Sequence, residues 1–102
     1  MYVRVVPLTH FEWDPEKEKK NIAKHGVSFE LATRVWDDPL HVILPDRIES
    51  GEQRWHAIGM VGPVATLLVV HANPDAENED KVRIIGARKA TRHERKLYEE
   101  GA

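Results

Sequence analysis

The sequence predicts an α+β fold in a single domain: two helices, then a four-stranded or slightly larger antiparallel sheet, then a closing helix. Three observations predict it. Between Ser28 and Pro39 the apolar residues Phe29, Ala32, Val35 and Trp36 recur at the three-and-four spacing of a helix face, and from Leu40 onward apolar residues gather in short runs divided by turn signals. Thr91 followed by Glu94 then has the spacing of a capping box, which restarts helical structure near the end of the chain.

Each element can be justified in order. "YVRVV" reads as a short strand or a loose arm, so residues 1–10 are set apart from a domain over 11–102. In "FEWD", Phe11 and Trp13 alternate with Glu12 in the manner of a strand. Asp14-Pro15-Glu16 opens a helix with an N-cap acid, a proline at the first helical position and an acid in the first turn. His25-Gly26 closes that helix. Ser28 caps a second helix with Phe29, Ala32, Val35 and Trp36 on one face, and Asp37-Asp38-Pro39 stops it. "LHVILP", "RWHAIGM", "ATLLVVHA" and "KVRIIGAR" are the four strand candidates, divided at Ser50-Gly51, Gly62-Pro63 and Asn73-Pro74-Asp75. Short connections favour an antiparallel meander. The last two runs are the most continuously apolar and are placed centrally, under a helix. Thr91 starts the final helix, which ends near Gly101.

Charge is distributed unevenly along this framework. The 102 residues carry a net charge of −2. Between Lys81 and Tyr98, however, seven Lys or Arg face one acid, a local +6 that leaves −8 for the rest. Such separation creates a local attractive field for an anion, whether RNA, DNA or an acidic protein. The chain has no cysteine, so disulfides, thiolate nucleophiles and cysteine-based zinc sites are excluded. No apolar run approaches the roughly 18 residues of a membrane span, and the N-terminus lacks the pattern of a signal peptide, so a cytoplasmic protein without a membrane partner is expected.

Two basic stripes stand out. Lys17, Lys20, Asn21 and Lys24 share one face of the first helix, with His25 at its end, and Arg92, Arg95 and Lys96 share one face of the last. The second stripe continues Arg88 and Lys89 from the preceding strand, and arginine suits phosphate through its planar fork of donors. The six histidines show no local metal-ligand spacing, and no metal or other cofactor is expected. Three tryptophans offer stacking surfaces for bases, but alternation and helical spacing put Trp13 and Trp36 on core faces. Phosphate-binding glycine loops and serine-hydrolase elbows are lacking.

In order and spacing, "FEWDPEKEKKNIAKHGVSFELATRVWDDP" (11–39), "RWHAIG" (54–59) and "KVRIIGARKATRHERKLYEEG" (81–101) form a specific set. With these stretches the chain resembles the BrnT toxins of bacterial type II toxin–antitoxin systems, a branch of the RelE-like ribonuclease toxins. The resemblance implies a RelE-like sheet flanked by helices and inhibition of translation by cutting RNA, including ribosome-associated mRNA. It further implies a BrnA-like ribbon-helix-helix antitoxin, with DNA contacted only through that partner. Two features depart from the pattern. Gly86 stands where the family often has serine, and the first ten residues extend beyond the usual start, which leaves the initiation codon open.

Metal-independent RNA cleavage needs a base for the 2′-hydroxyl, cations for the phosphate and an acid for the leaving oxygen. Arg88, then Arg54, match family positions on strands and are the expected phosphate stabilisers. His25 is the expected acid or base, Tyr98 a residue for orienting or stacking, and Lys24, Lys89, Arg92 and Arg95 the RNA-binding set. Simpler readings stay open beside these. His25 also suits the end of its helix, Tyr98 the packing of the last helix, and Glu94 a cap. The alternative function is a non-catalytic binding module acting through an antitoxin or corepressor partner.

Overall fold

The structure, a computed structural model, describes residues 9–63, 65–75 and 77–101. The N-terminal strand or arm expected over "YVRVV" lies outside these residues. In chain order the elements are β1 (His10–Glu12), α1 (Pro15–His25), α2 (Phe29–Thr33), a 3₁₀ turn (Arg34–Asp37), β2 (Val42–Glu49), β3 (Glu52–Val61), β4 (Ala65–Ala72), β5 (Lys81–Lys89) and α3 (Arg92–Glu100).

The helix boundaries follow the local chemistry. Asp14 accepts a hydrogen bond from the Glu16 N–H at 2.9 Å, and Gly26 ends α1 at a φ of 71° that favours glycine. The second helix is shorter than the spacing predicts. After Thr33 the chain tightens into the 3₁₀ turn, which still delivers Val35 to the core beside Phe29 and Ala32, all three fully buried. This close approach is possible because β3 has Gly59 beneath it. A Cβ there would lie 3.0 Å from Val35 Cγ1.

The sheet is slightly larger than four strands, as the expectation allowed, but it corrects the expectation that all its strands are antiparallel. Among the described residues it has five strands, in the order β1-β5-β4-β3-β2, and it is mixed, because β1 pairs in parallel with β5. "FEWD" therefore contributes a bordering strand that begins at His10, opposite Lys81. A three-residue strand gives little pattern to count, and parallel pairing across some seventy residues leaves no turn signal in the sequence. The remaining four strands form the antiparallel meander. At the far border, β2 contains Pro45 and a register shift between Pro45 and Ile48.

The sheet buries both faces unequally. Against α1, α2 and the 3₁₀ turn lies the main core, with Phe29, Val35, Ala57, Leu67, Val69, Val82, Ile84 and Ala87. On the other face a smaller cluster of Val42, Ile58, Leu68 and Ala90 sits under Tyr98 of α3.

Two side chains complete the sheet where its border strands run out. Beyond β1, the outer edge of β5 is met by Asn21 of α1. Its amide accepts from the Ala87 N–H at 3.1 Å and donates to the Ala87 and Val27 carbonyls, each at 2.8 Å. Beyond the first residue of β2, the β3 edge is met by Asp38, which accepts from the Met60 N–H at 2.8 Å. The expected basic stripe on α1 therefore loses a member, since Asn21 is buried and faces the strand. Replacing it with alanine would strand three buried backbone groups. Asn21→Ala is expected to lower unfolding free energy by about 2–4 kcal/mol, read from the urea midpoint at unchanged m-value.

Candidate RNA-binding face

Strand alternation and register decide which candidate residues meet. Across the meander, Val42, Ile58, Leu68 and Arg88 are paired neighbours in one row, and Leu44, His56, Val70 and Gly86 form the next. Both rows lie on the α3 side of the sheet, the first beneath Tyr98. Farther along the same face, Arg54 precedes His56 by two residues and Arg83 stands opposite Ala72. The face thus carries Arg54, Arg83 and Arg88, with α3 at one end and an uncovered floor beyond it.

Each of these arginines is held by a carboxylate. Arg88 makes a bidentate pair with Glu94, at 2.7 Å and 2.9 Å. Glu94 also accepts from the Thr91 N–H at 2.8 Å, while Thr91 accepts from the Glu94 N–H at 3.2 Å, which completes the capping box. The cap reading of Glu94 is therefore observed, and the same carboxylate fixes Arg88. Glu52 bridges the other two, hydrogen-bonded to Arg83 and 3.6 Å from Arg54 Nε. That Nε is buried and lacks a hydrogen-bond partner among the described residues. His56 Nε2 lies 3.2 Å from Asp46 Oδ2, with 27% of its side chain exposed.

Tyr98 anchors α3. Its hydroxyl donates to Asp38 Oδ2 at 2.6 Å, which pushes the phenol up to about 12. Burial works against ionisation of Asp38, but the donors Tyr98, Met60 N–H and Leu40 N–H together hold its carboxyl below the usual value. Tyr98 thus offers a ring edge and a proton already committed, as the packing reading requires.

The remaining expected residues lie elsewhere. Arg92, Arg95 and Lys96 share the exposed side of α3 with His93 and Glu99, around a shallow groove of about 760 Å³. Arg95 also donates to the Ala90 carbonyl at 3.1 Å. Lys24 and His25 line a second groove of about 290 Å³ between α1 and β5, with Lys17, Lys20, Asn21 and Ile85. Lys89 pairs with Leu67, a residue of the main core, so alternation points it away from Arg88. His71 is buried on that opposite face against Trp36, at a ring distance of 4.9 Å, and burial takes it down to about 4. His41 packs beside Trp36 as well. The three strand-region histidines are therefore divided between faces. Sequence reasoning passed over Arg83, Glu52, His56 and Asp46 as site residues. Register across β2, β3 and β5 brings them together, and only the two-residue alternation within "EQRWH" hinted at it.

The Arg88 hydrogen bonds, and with them the Thr91 cap, hold the Glu94 carboxyl at about 2, well below its ordinary 4.5. A carboxylate depressed in the folded state stabilises fully above the ordinary value and progressively less as pH falls toward the depressed one. With partial solvent exposure of Arg88, the expected contribution is roughly 1–2 kcal/mol. Glu94→Gln should lose that amount at neutral pH and nearly none at about pH 2, as measured by urea unfolding at both.

A family described as "Ribonuclease toxin, BrnT, of type II toxin-antitoxin system" matches residues 13–94, a span that runs from before α1 to Glu94. Among solved structures, the Brucella abortus ribonuclease toxin BrnT is similar to this chain with a TM-score of 0.58 and 24% identity, over 82% of this chain and 99% of that one. That similarity is one of fold. None of the curated proteins matches. The family match extends over most of the chain and takes in Arg54, Arg83, Arg88 and Glu94 together, and on that basis the chain belongs to the BrnT family of ribonuclease toxins of type II toxin–antitoxin systems.

Proposed function

We propose that this chain is the toxin of a type II pair and inhibits translation by cutting RNA at the sheet face beside α3. The observation that carries the reading is the placement of Arg54, Arg83 and Arg88 on one partly open face, continued by Arg92, Arg95 and Lys96 on α3. Phosphate oxygens are the ligands that forked guanidinium donors fit best. In this reading Arg88 and Arg54 stabilise the charge that grows on the scissile phosphate. Arg92 and Arg95 hold the strand on one side. Lys24 and His25 line the groove between α1 and β5, and Lys89 points to the side opposite Arg88, so in this reading they serve RNA that passes round the β5 edge. The acid–base role expected of His25 then has no place at the scissile phosphate, and Tyr98 positions α3.

The reaction proposed is metal-independent. The carboxylates that a cation would use on this face are engaged: Glu52 with arginines, Glu94 with Arg88 and the cap, Asp46 beside His56. The RelE-like ancestry implied by the sequence belongs to the same proposal, as do mRNA as substrate, the cytoplasm as location and a BrnA-like ribbon-helix-helix antitoxin that covers the basic face.

One observation favours a second reading. Arg88 already binds a carboxylate in bidentate fashion, so an acidic protein could occupy the face by exchanging for Glu94. Induced expression in a bacterial host separates the two. Wild type is expected to arrest growth and generate new RNA ends, and Arg88→Ala to fold while cleaving roughly 100-fold more slowly. If wild type leaves growth and RNA unchanged, the ribonuclease reading falls and the binding module remains.

A further inference from the structure

Among the described residues, His56 is the histidine with a carboxylate at ion-pair distance, Asp46 at 3.2 Å. It stands in the second row of the α3-side face, between Leu44 and Val70, with Gly86 one strand farther on. Leu44, His56, Val70 and Gly86 are all half-buried, so this part of the floor is partly open to solvent. From the strand spacing and rise, the Cα atoms of His56 and Arg88 are about 12 Å apart. That span brackets Val70 and Gly86, with Arg88 and Arg54 on two sides and the imidazole on a third, the arrangement a phosphate would need.

We infer that His56, oriented by Asp46, takes the proton of the RNA 2′-hydroxyl at this face; the inference rests on the ribonuclease reading above. Asp46 lies 3.2 Å from Nε2; with the ring proton on that nitrogen, the lone pair on Nδ1 is the one that acts. Nδ1 accepts the 2′-hydroxyl proton as the 2′ oxygen bonds to phosphorus. The bond from phosphorus to the 5′ oxygen breaks, giving a 2′,3′-cyclic phosphate and a leaving 5′ oxygen that takes a proton from water. The imidazolium returns its proton to the hydroxide so formed, and the ring is regenerated. Imidazole is the side chain suited to give and take a proton near neutrality. The other described histidines lack this setting. His41 and His71 pack beside Trp36 on the opposite side, His25 and His93 lie on exposed helix surfaces, and His10 is exposed at the start of β1.

The test compares purified wild type, His56→Ala, His56→Gln and Asp46→Asn. Each is assayed for single-turnover cleavage of RNA, free and on programmed ribosomes, and for RNA affinity. Expected are a 100-fold or greater fall in rate for both His56 variants, on the order of a general base, with affinity within about twofold. Added imidazole should restore part of the rate to His56→Ala, and Asp46→Asn, a positioning change, should lower the rate at unchanged affinity. Folding is checked by circular dichroism, and His56→Gln retains the bulk if alanine loosens the sheet. If wild type cleaves and the His56 variants cleave as fast, the inference is overturned while the ribonuclease reading stands. A loss of rate matched by an equal loss of affinity, with no rescue by imidazole, overturns it equally. Cleavage by wild type in neither setting overturns both.

Discussion

The side-chain amide of Asn21 holds the fold at the edge of β5 that β1 leaves without a partner strand. β1 ends after Glu12, yet β5 continues to Lys89 with its outer backbone groups unpaired by any strand among the described residues. Asn21 supplies one acceptor and two donor bonds there, satisfying Ala87 on both its N–H and its C=O and tying in the Val27 carbonyl. Buried backbone groups left unpaired are costly, so the position of α1 against the sheet follows from that need as much as from apolar packing. The Val27 bond fixes the turn after Gly26, and the turn delivers Phe29 to the core. Asp38 repeats the device at the opposite border, where Met60 projects past the start of β2, and it carries the tie onward to α3 through Tyr98. Both helical layers are therefore referred to the strand edges by single polar side chains.

This arrangement makes the arginine face rigid at little hydrophobic cost. α3 has no fully buried residue and is held by its caps, by Tyr98 on Asp38 and by Glu94 on Arg88. The carboxylates that secure the arginines also screen them. A phosphate arriving at the face meets guanidinium groups already oriented, and it competes with Glu94 for the same donors. Pre-orientation lowers the entropy lost on binding, while the competition lowers net affinity for anions in general. The high local positive charge of the sequence is thus partly neutralised by residues chosen within the same face.

Much of this was legible from residue order because the signals were local. Asp14-Pro15, His25-Gly26, Ser28, and Thr91 with Glu94 carry their own stop and start chemistry, and the four apolar runs separated by turn residues gave the meander. What escaped depends on pairing between distant segments. The parallel bond of β1 to β5 has no turn to announce it. Asn21 falls among lysines on a helical wheel, and only the unpaired edge of β5 reveals why it turns inward. Lys89 reads as a continuation of Arg88, whereas alternation sends the two to opposite faces. His56 looked like one of several scattered histidines until register set it beside Asp46 and two strands from Arg88.

Pro45 and the register shift after it have a consequence at the scale of many molecules. A bordering strand with a full row of free N–H and C=O groups is a template on which another sheet can grow. β2 carries exposed Ile43 and Ile48, the composition that invites such growth, but Pro45 lacks an N–H and the bulge twists the strand before a flat run can form. The other border is β1, three residues long, continued by the β5 edge that Asn21 of α1 covers at Ala87. Among the described residues, neither margin of the sheet favours open-ended stacking of copies into fibres.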